Sequence, residues 1–452
     1  MQPQKHPGHP SSERYLFELL ISIEVLVSFT LFGYIHIPPI SVTTAFLPIL
    51  VAGCLLTPLH AAFLGLVFGL GSLFKASAGY VQGFDALFSP FRSGAPVQSA
   101  LLSVGSRVLF GLVIGLLFAA ARKTRRPRFW IGVTAAMGST IHAFFVYGAL
   151  ALFFPEQGIG ISGGINISDL FLSVFSVLLL EAVWLIWNSR PVQNFRSCID
   201  RSNDNPLMER HLTWLLLLFG LFVMLLTILS AVYFSQRAIY MLDWYGITVS
   251  SGIANDTLHL QMQFLFASLA LNYMSVLTML VVYRYMSYQK YLGELDALTN
   301  VSGRRMFLAN CDQLQTGWFL FLDVDDFKFI NDTYGHSTGD AVLRNIAASL
   351  KKTFSGCGTV GRMGGDEFSV LIQQPLPQEV LAQKLDTFLD DISGLLGEKT
   401  RVSCSIGACR IDQPQSIEVL LKQADHLLYK VKRGGKGRYL ICSFSDIADS
   451  DQ

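Results

Sequence analysis

Near residue 286 the chain changes character, and this division constrains its fold more than any other feature. Before it come long apolar runs broken by short polar links; after it come mixed segments holding most of the acidic residues. A helix crossing the hydrocarbon layer of a membrane needs roughly 20 mostly apolar residues. Stretches of that kind lie near residues 15–34, 41–57, 59–79, 97–120, 129–154, 168–188, 213–235 and 262–284, so the reading is an all-α membrane bundle of about eight spans. Only Thr57-Pro58-Leu59 separates the second from the third, which predicts a tight hairpin or a re-entrant segment. Charged residues make up 15% of the chain, whereas soluble domains average about 25%. A wholly soluble globule is therefore disfavoured.

The basic links set an orientation. Arg122, Lys123, Arg125, Arg126 and Arg128 lie between the fourth and fifth stretches, and Arg190, Arg196, Arg201 and Arg210 between the sixth and seventh. Links rich in Lys and Arg stay cytoplasmic, and the loops near 80–96, 155–167 and 236–261, poor in both, then face outward. This places both termini and the C-terminal domain on the cytoplasmic side of a cell membrane, with the apolar bundle in contact with lipid. The polar tail 1–14 has no small-residue cleavage site, which argues against a removable signal peptide. A net charge of +1 excludes a strongly basic nucleic-acid binder. The 7 Cys residues show neither paired nor zinc-like spacing, consistent with reduced thiols.

Glu18, Glu24, Lys75, Arg107, His142 and Glu181 fall within or beside the apolar runs. Charge in hydrocarbon is costly unless it faces protein or water, so these residues either line a ligand cavity or pair within the bundle and snorkel at its ends. The stretches Phe46–Gly53, Pro58–Gly69, Phe88-Ser-Pro90-Phe91-Arg92 and Ser106-Arg107-Val-Leu-Phe-Gly111 resemble the substrate-binding S components of energy-coupling vitamin transporters. That resemblance spans about residues 15–188 and implies a six-helix sensor for a small, vitamin-like molecule. The last apolar run continues into Tyr283–Asp296 with no proline, which predicts one uninterrupted signalling helix.

The C-terminal part carries the chemistry. Trp318-Phe-Leu-Phe-Leu-Asp323 reads as a buried strand ending in acid, with Asp325 and Asp326 close behind. Crowded carboxylates repel unless a cation neutralises them, so the spacing suits a divalent metal. Apolar runs flank Gly364-Gly365-Asp366-Glu367, a strong hairpin signal that presents both acids at a tip. Glycines there let phosphates approach the backbone. In Asn331–Asp340 an amide and a carboxylate are offered to a planar polar ligand, and Lys432 and Lys436 are point charges suited to phosphate. The bland readings are a solvated acidic turn, lysines that cap a helix through its dipole, and a His336 that only shapes a turn.

Taken in order, Asp296-Ala-Leu-Thr299 with Arg304-Arg305, Asp323–Lys328, Asn331–Asp340, Gly364–Phe368, Ser405-Ile-Gly407 and the Lys432 region resemble the GGDEF family of diguanylate cyclases. The resemblance covers about residues 290–443 and implies a palm-like α/β domain with a mainly antiparallel central sheet. It also implies a nucleotidyltransferase that joins two GTP into cyclic di-GMP and two pyrophosphates across a homodimer. Carried over residue by residue, Asp323, the Val324 carbonyl, Asp366 and Glu367 bind two Mg²⁺ ions, with Mn²⁺ a possible substitute. Asp366 is the candidate base, a bound water being the alternative. Asn331, Asp340 and His336 contact the guanine end of GTP, and Phe327, Lys328, Lys432, Lys436, Gly364 and Gly365 contact the rest of the substrate. Members with product feedback carry Arg-x-x-Asp where this chain reads Ser355-Gly-Cys-Gly358, so an inhibitory product site is not expected.

The domains expected are a tail (1–14), a six-helix sensor (15–188), two further membrane helices with the signalling helix (189–290), the cyclase domain (291–445) and a tail (446–452). Two other readings stand beside the cyclase: an inactive receptor for GTP or cyclic di-GMP, and a small-molecule-binding membrane protein with a regulatory tail.

Overall fold

The computed structural model describes residues 11–158, 167–202, 210–311, 316–397 and 400–443, apart from residues 31, 38, 39 and 414. The chain forms two compact units, which meet at Gln289 and Lys290.

The N-terminal unit contains α1 (Ser11–Ser28), a hairpin of β1 (Tyr34–Ile37) and β2 (Ile40–Thr43), α2 (Leu47–Leu55) and α3 (Pro58–Ala76). Next come α4 (Pro96–Ala100), a π-turn at Leu101–Gly105 and α5 (Ser106–Arg122), then α6 (Pro127–Ala136), α7 (Gly138–Phe153), α8 (Ile167–Trp187) and α9 (Arg190–Arg201). Two long helices close it, α10 (Arg210–Trp244) and α11 (Ser251–Gly293), the second of which ends beyond the unit's boundary. Among the described residues five helical segments are long and apolar enough to cross a membrane, or six when the bent α6–α7 pair is taken as one. The expectation of about eight is therefore not confirmed among the described residues. The 41–57 stretch holds only the nine-residue α2, about 14 Å of helix against roughly 30 Å of hydrocarbon. The 15–34 stretch holds α1, whose four charged residues lower its hydropathy. The fifth stretch is broken by a 41° bend between α6 and α7.

Helices α3 and α5 pack through facing glycines. A Cβ at Gly65 would lie 2.2 Å from the Arg107 carbonyl oxygen, and one at Gly111 would lie 2.3 Å from that of Ala61. With Gly69 and Gly115 these form two small-xxx-small stripes that let backbones meet. Gly111→Val is accordingly expected to lower the detergent-extracted yield several-fold and to abolish a cooperative melt of this unit, measured by size-exclusion chromatography and thermal denaturation.

Most of the ionisable residues flagged in this unit have partners within it. Arg107 donates to the Leu102 and Ser103 carbonyls of the π-turn at 2.9 and 3.0 Å, and its guanidinium lies over Phe68 and Phe88. Arg128 pairs with Glu181 at 2.5 Å and Arg14 with Glu18 at 2.8 Å. Arg122 caps α2 by donating to the carbonyls of Gly53, Cys54 and Leu56. His142 is stacked by Phe46 and Phe68, and Glu24 accepts from Ser28.

The C-terminal unit is a six-stranded mixed sheet flanked by helices. Its elements are β3 (Ser302–Gly303), α12 (Arg304–Cys311), β4 (Gly317–Val324), α13 (Phe327–Tyr334), α14 (His336–Thr353), β5 (Gly358–Gly364), β6 (Glu367–Ile372), α15 (Gln378–Ser393), β7 (Cys404–Ile411), α16 (Ile417–Arg433) and β8 (Tyr439–Ser443). Strand order is β3-β5-β6-β4-β7-β8; the three central pairings are antiparallel, and the two edge strands run parallel to their neighbours.

Central β4 is buried on both faces, and its period of two assigns each side chain a neighbour. Trp318, Leu320, Leu322 and Val324 join the core built with α14 and α15. Phe319 and Phe321 join the core built with α12 and α16. Asp323 continues this second series, so the acid at the strand's end stands on the α16 side. Each of these apolar side chains contributes about 1.5–3 kcal/mol on burial. The strand is thus a rigid post for the carboxylate at its tip.

Candidate active site

The sheet register brings the two acidic segments together. Asp323 is directly opposite Glu367 on β6 and opposite Ser405 on β7. Between β5 and β6, Gly364, Gly365 and Asp366 form the hairpin tip that their sequence predicts, with a bulge after Arg362. Gly365 has φ +49°, a left-handed conformation that favours glycine. A Cβ built on Gly364 or Gly365 meets nothing within 4 Å, so the space above the turn is open. Both peptide planes flanking Asp366 are held. The Val324 N–H donates to the Asp366 carbonyl at 3.3 Å, and Arg362 donates twice to the Gly365 carbonyl, at 3.0 and 2.6 Å.

The three aspartates at and just after the end of β4 divide the labour, which corrects the expectation that all three crowd one site. Asp325 is 6% exposed and turned inward. Its carboxylate accepts from the Ser403 and Ser405 hydroxyls, each at 2.7 Å, and from the Gly437 N–H at 2.9 Å. Asp326 is exposed with φ +51° and pairs with Lys436 at 2.7 Å. Only Asp323 remains beside the hairpin acids.

Electrostatics mark this point as short of positive charge. Burial pushes the Asp323 carboxyl above its ordinary value, Lys432 at 2.7 Å pulls it down, and the charges of Asp366 and Asp325 add to the rise. Burial likewise raises Glu367, reinforced by Asp323, Asp366 and Asp425. Among the described residues no three acid, His or Cys side chains converge on one metal position. Two or three half-buried carboxylates and a strand-end carbonyl nonetheless fit magnesium, which protein sites usually bind through one or two carboxylates while phosphates and water fill the remaining positions. Lys432, from the last turn of α16, supplies a counter-charge to Asp323.

A carboxyl raised on folding binds its proton more tightly in the native state, so stability falls as pH rises from about 4 through the native value. Asp323→Asn is therefore expected to raise the melting temperature of the metal-free protein at pH 7. The gain should shrink toward pH 4, as followed by thermal denaturation in chelator; a gain that is constant with pH contradicts the assignment.

The remaining candidates lie around the open face. Asn331 is half-buried on α13, and its side-chain oxygen lies so close to Gly339 that a Cβ there would meet it at 2.0 Å. Asp340 follows at the start of the second turn of α14, half-buried; His336 begins that helix and is exposed. Lys328 is exposed at the start of α13. Phe327 is half-buried, packing against the core and near Gly339. Ser355–Gly358 forms the turn between α14 and β5.

Sequence reasoning quoted Asp296 and Ser405 without a task for either and passed over Ser403. Asp296 accepts from the Thr299 N–H and hydroxyl and from Arg362 at 2.9 Å, which together hold its carboxyl below the usual range although partial burial opposes this. The Arg362 position, two residues before the glycine pair, was the available signal.

Residues 294–438 match the family model described as "Diguanylate cyclase, GGDEF domain". The chain is 36% identical over 149 residues to the diguanylate cyclase DgcN of Escherichia coli K12, covering 30% of this chain and 36% of that protein. It is 33% identical over 156 residues to the diguanylate cyclase DosC of the same strain, covering 32% and 34%, respectively. An uncharacterised Bacillus subtilis protein, YhcK, is 33% identical over 166 residues, covering 33% and 45%. The chain thus spans less than half the length of these curated relatives. Among solved structures, the GGDEF domain of DgcB from Caulobacter crescentus in complex with c-di-GMP is 28% identical, with a TM-score of 0.30, covering 33% of this chain and 95% of that one.

Proposed function

We propose, from the premise that residues 294–438 form a GGDEF domain with diguanylate cyclase relatives, that this chain is a membrane-bound diguanylate cyclase. It condenses two GTP into cyclic di-GMP and two pyrophosphates. The observation that carries this reading is the register that sets Asp323 opposite Glu367 at the foot of the open Gly364-Gly365 turn.

In this reading Asp323, the Val324 carbonyl, Asp366 and Glu367 hold magnesium. When bound, the metal neutralises the triphosphate and polarises the phosphorus that is attacked. Asp366 accepts the proton of the attacking 3′-hydroxyl, either directly or through a water. Asn331 and Asp340 orient the guanine, its paired N–H donors meeting the Asp340 carboxylate. Lys432 and Lys436 leave their carboxylate partners for phosphate oxygens, and Gly364 and Gly365 let the phosphates reach the backbone. Each domain binds one GTP, so turnover needs two domains face to face, and the enzyme acts as a homodimer. The long apolar helices anchor it, with the domain in the cytoplasm and the bundle as its sensor.

The central test incubates the detergent-purified protein with GTP and Mg²⁺ and follows cyclic di-GMP by chromatography. No product at high enzyme concentration, where dimers dominate, would sink the enzymatic reading and favour a nucleotide-binding receptor. Gly339→Ala adds a methyl where Asn331 now lies; it should raise KM for GTP about 10-fold with little change in kcat, the pattern of lost uniform binding.

A further inference from the structure

We infer that Arg362 and Asp296 are a positioning pair for the catalytic turn, tying its shape to the segment that follows the end of α11. This rests on the cyclase reading for its effect on turnover, but not for its geometry. The Arg362 side chain is 13% exposed and spans two groups 69 residues apart in sequence. Its Nη1 donates to Asp296 Oδ1 at 2.9 Å, while Nε and Nη2 both donate to the Gly365 carbonyl. Only a planar guanidinium can face two acceptors in this way; an ammonium is a single point charge.

The Gly365 carbonyl belongs to the peptide unit that supplies the Asp366 nitrogen, and that unit is planar. Holding the oxygen therefore fixes the plane from which Asp366 rises. The peptide plane on the other side is held by the Val324 N–H. Without Arg362, a left-handed glycine would be the sole local restraint on one side of the residue that carries the chemistry.

The other end is equally constrained. Asp296 accepts from the Thr299 N–H and hydroxyl at 2.9 and 2.6 Å. Its own N–H donates to Val301 at 2.9 Å, and the Gly303 N–H donates to Glu294 at 2.9 Å. This loop thus docks on the sheet edge through β3 and β5. It begins directly after Gly293, the last residue of the 43-residue α11. A displacement of the loop is transmitted to the Gly365 carbonyl through one side chain.

The test uses the full chain in detergent and compares Arg362→Gln, Arg362→Lys, Asp296→Asn and the double variant Asp296→Asn/Arg362→Gln. Each single variant should lower kcat about 10–100-fold, the scale of a misplaced reacting group, with KM for GTP within about threefold. The double variant should be no worse than the poorer single one, because one linkage is lost only once. Arg362→Lys should keep the wild-type melting temperature while kcat stays low. Hydrogen exchange at Gly364–Phe368 should quicken in Asp296→Asn as well as in Arg362→Gln. Losses that multiply, full activity in Arg362→Lys, or unchanged exchange of the turn in Asp296→Asn would overturn the pairing. A wild type that makes no cyclic di-GMP but shows the exchange effect would refute the cyclase reading and leave the linkage standing.

Discussion

Asp366→Ala is expected to lower cyclic di-GMP formation by at least about 10³-fold while the protein keeps its melting temperature. A carboxylate that binds metal and accepts a proton acts with its neighbours as a unit, and loss of one member of such a unit costs nearly as much as loss of all. The turn should survive, because Asp366 is anchored by its main chain: its carbonyl accepts from Val324, and the preceding peptide is held by Arg362. Removing the carboxylate also relieves its repulsion of Asp323 and Glu367, so the stability change is expected to stay within about 0.5 kcal/mol, as for an ordinary surface substitution. Chromatography of reaction mixtures and thermal melts of the same preparation decide the matter. More than a tenth of wild-type turnover in the variant would remove Asp366 from the chemistry.

Asp325→Ala should do the reverse and cost mainly stability. The buried carboxylate serves two hydroxyls and one main-chain N–H, drawn from the approach to β7, from β7 itself and from the turn before β8. Alanine leaves those donors facing a cavity, and breaking a buried charged network of this kind costs about 3–5 kcal/mol. For a domain of this size that is a fall of roughly 10 °C in melting temperature. Activity should fall with it, because Gly437 N–H anchors the turn that carries Lys436. Asp325→Asn should recover part of the loss, since an amide oxygen can still accept from one or two of the three donors. A melt indistinguishable from wild type would show that the network is not needed.

These two variants also show what the sequence made legible. Asp323, Asp366 and Glu367 were readable because each sits at a recognisable junction, a strand end or a glycine turn, where local pattern and chemistry coincide. The separate fate of Asp325 was not readable. Its partners lie 78, 80 and 112 residues away, and only the pairing of β4 with β7 and of β7 with β8 brings them near. The Arg362 bridge was hidden for the same reason. In the N-terminal unit, hydropathy located the apolar segments but could not count crossings. A nine-residue helix beside a strand hairpin has the same average hydropathy as a full span, and the α6–α7 bend is invisible to a sliding window. Arg107 and Arg122 read as candidates for a ligand or a topology signal. The structure adds what the pattern did not show, that each donates to main-chain carbonyl oxygens, of Leu102 and Ser103 for Arg107 and of Gly53, Cys54 and Leu56 at the end of α2 for Arg122.

The contact between Lys432 and Asp323 has a consequence for how the protein waits. Left to themselves, the clustered acids Asp323, Asp366 and Glu367 would repel one another. An amine from the neighbouring helix offsets part of that repulsion from within the fold. Under the proposed function, loading would exchange one positive partner for another and leave the freed amine beside the negatively charged substrate.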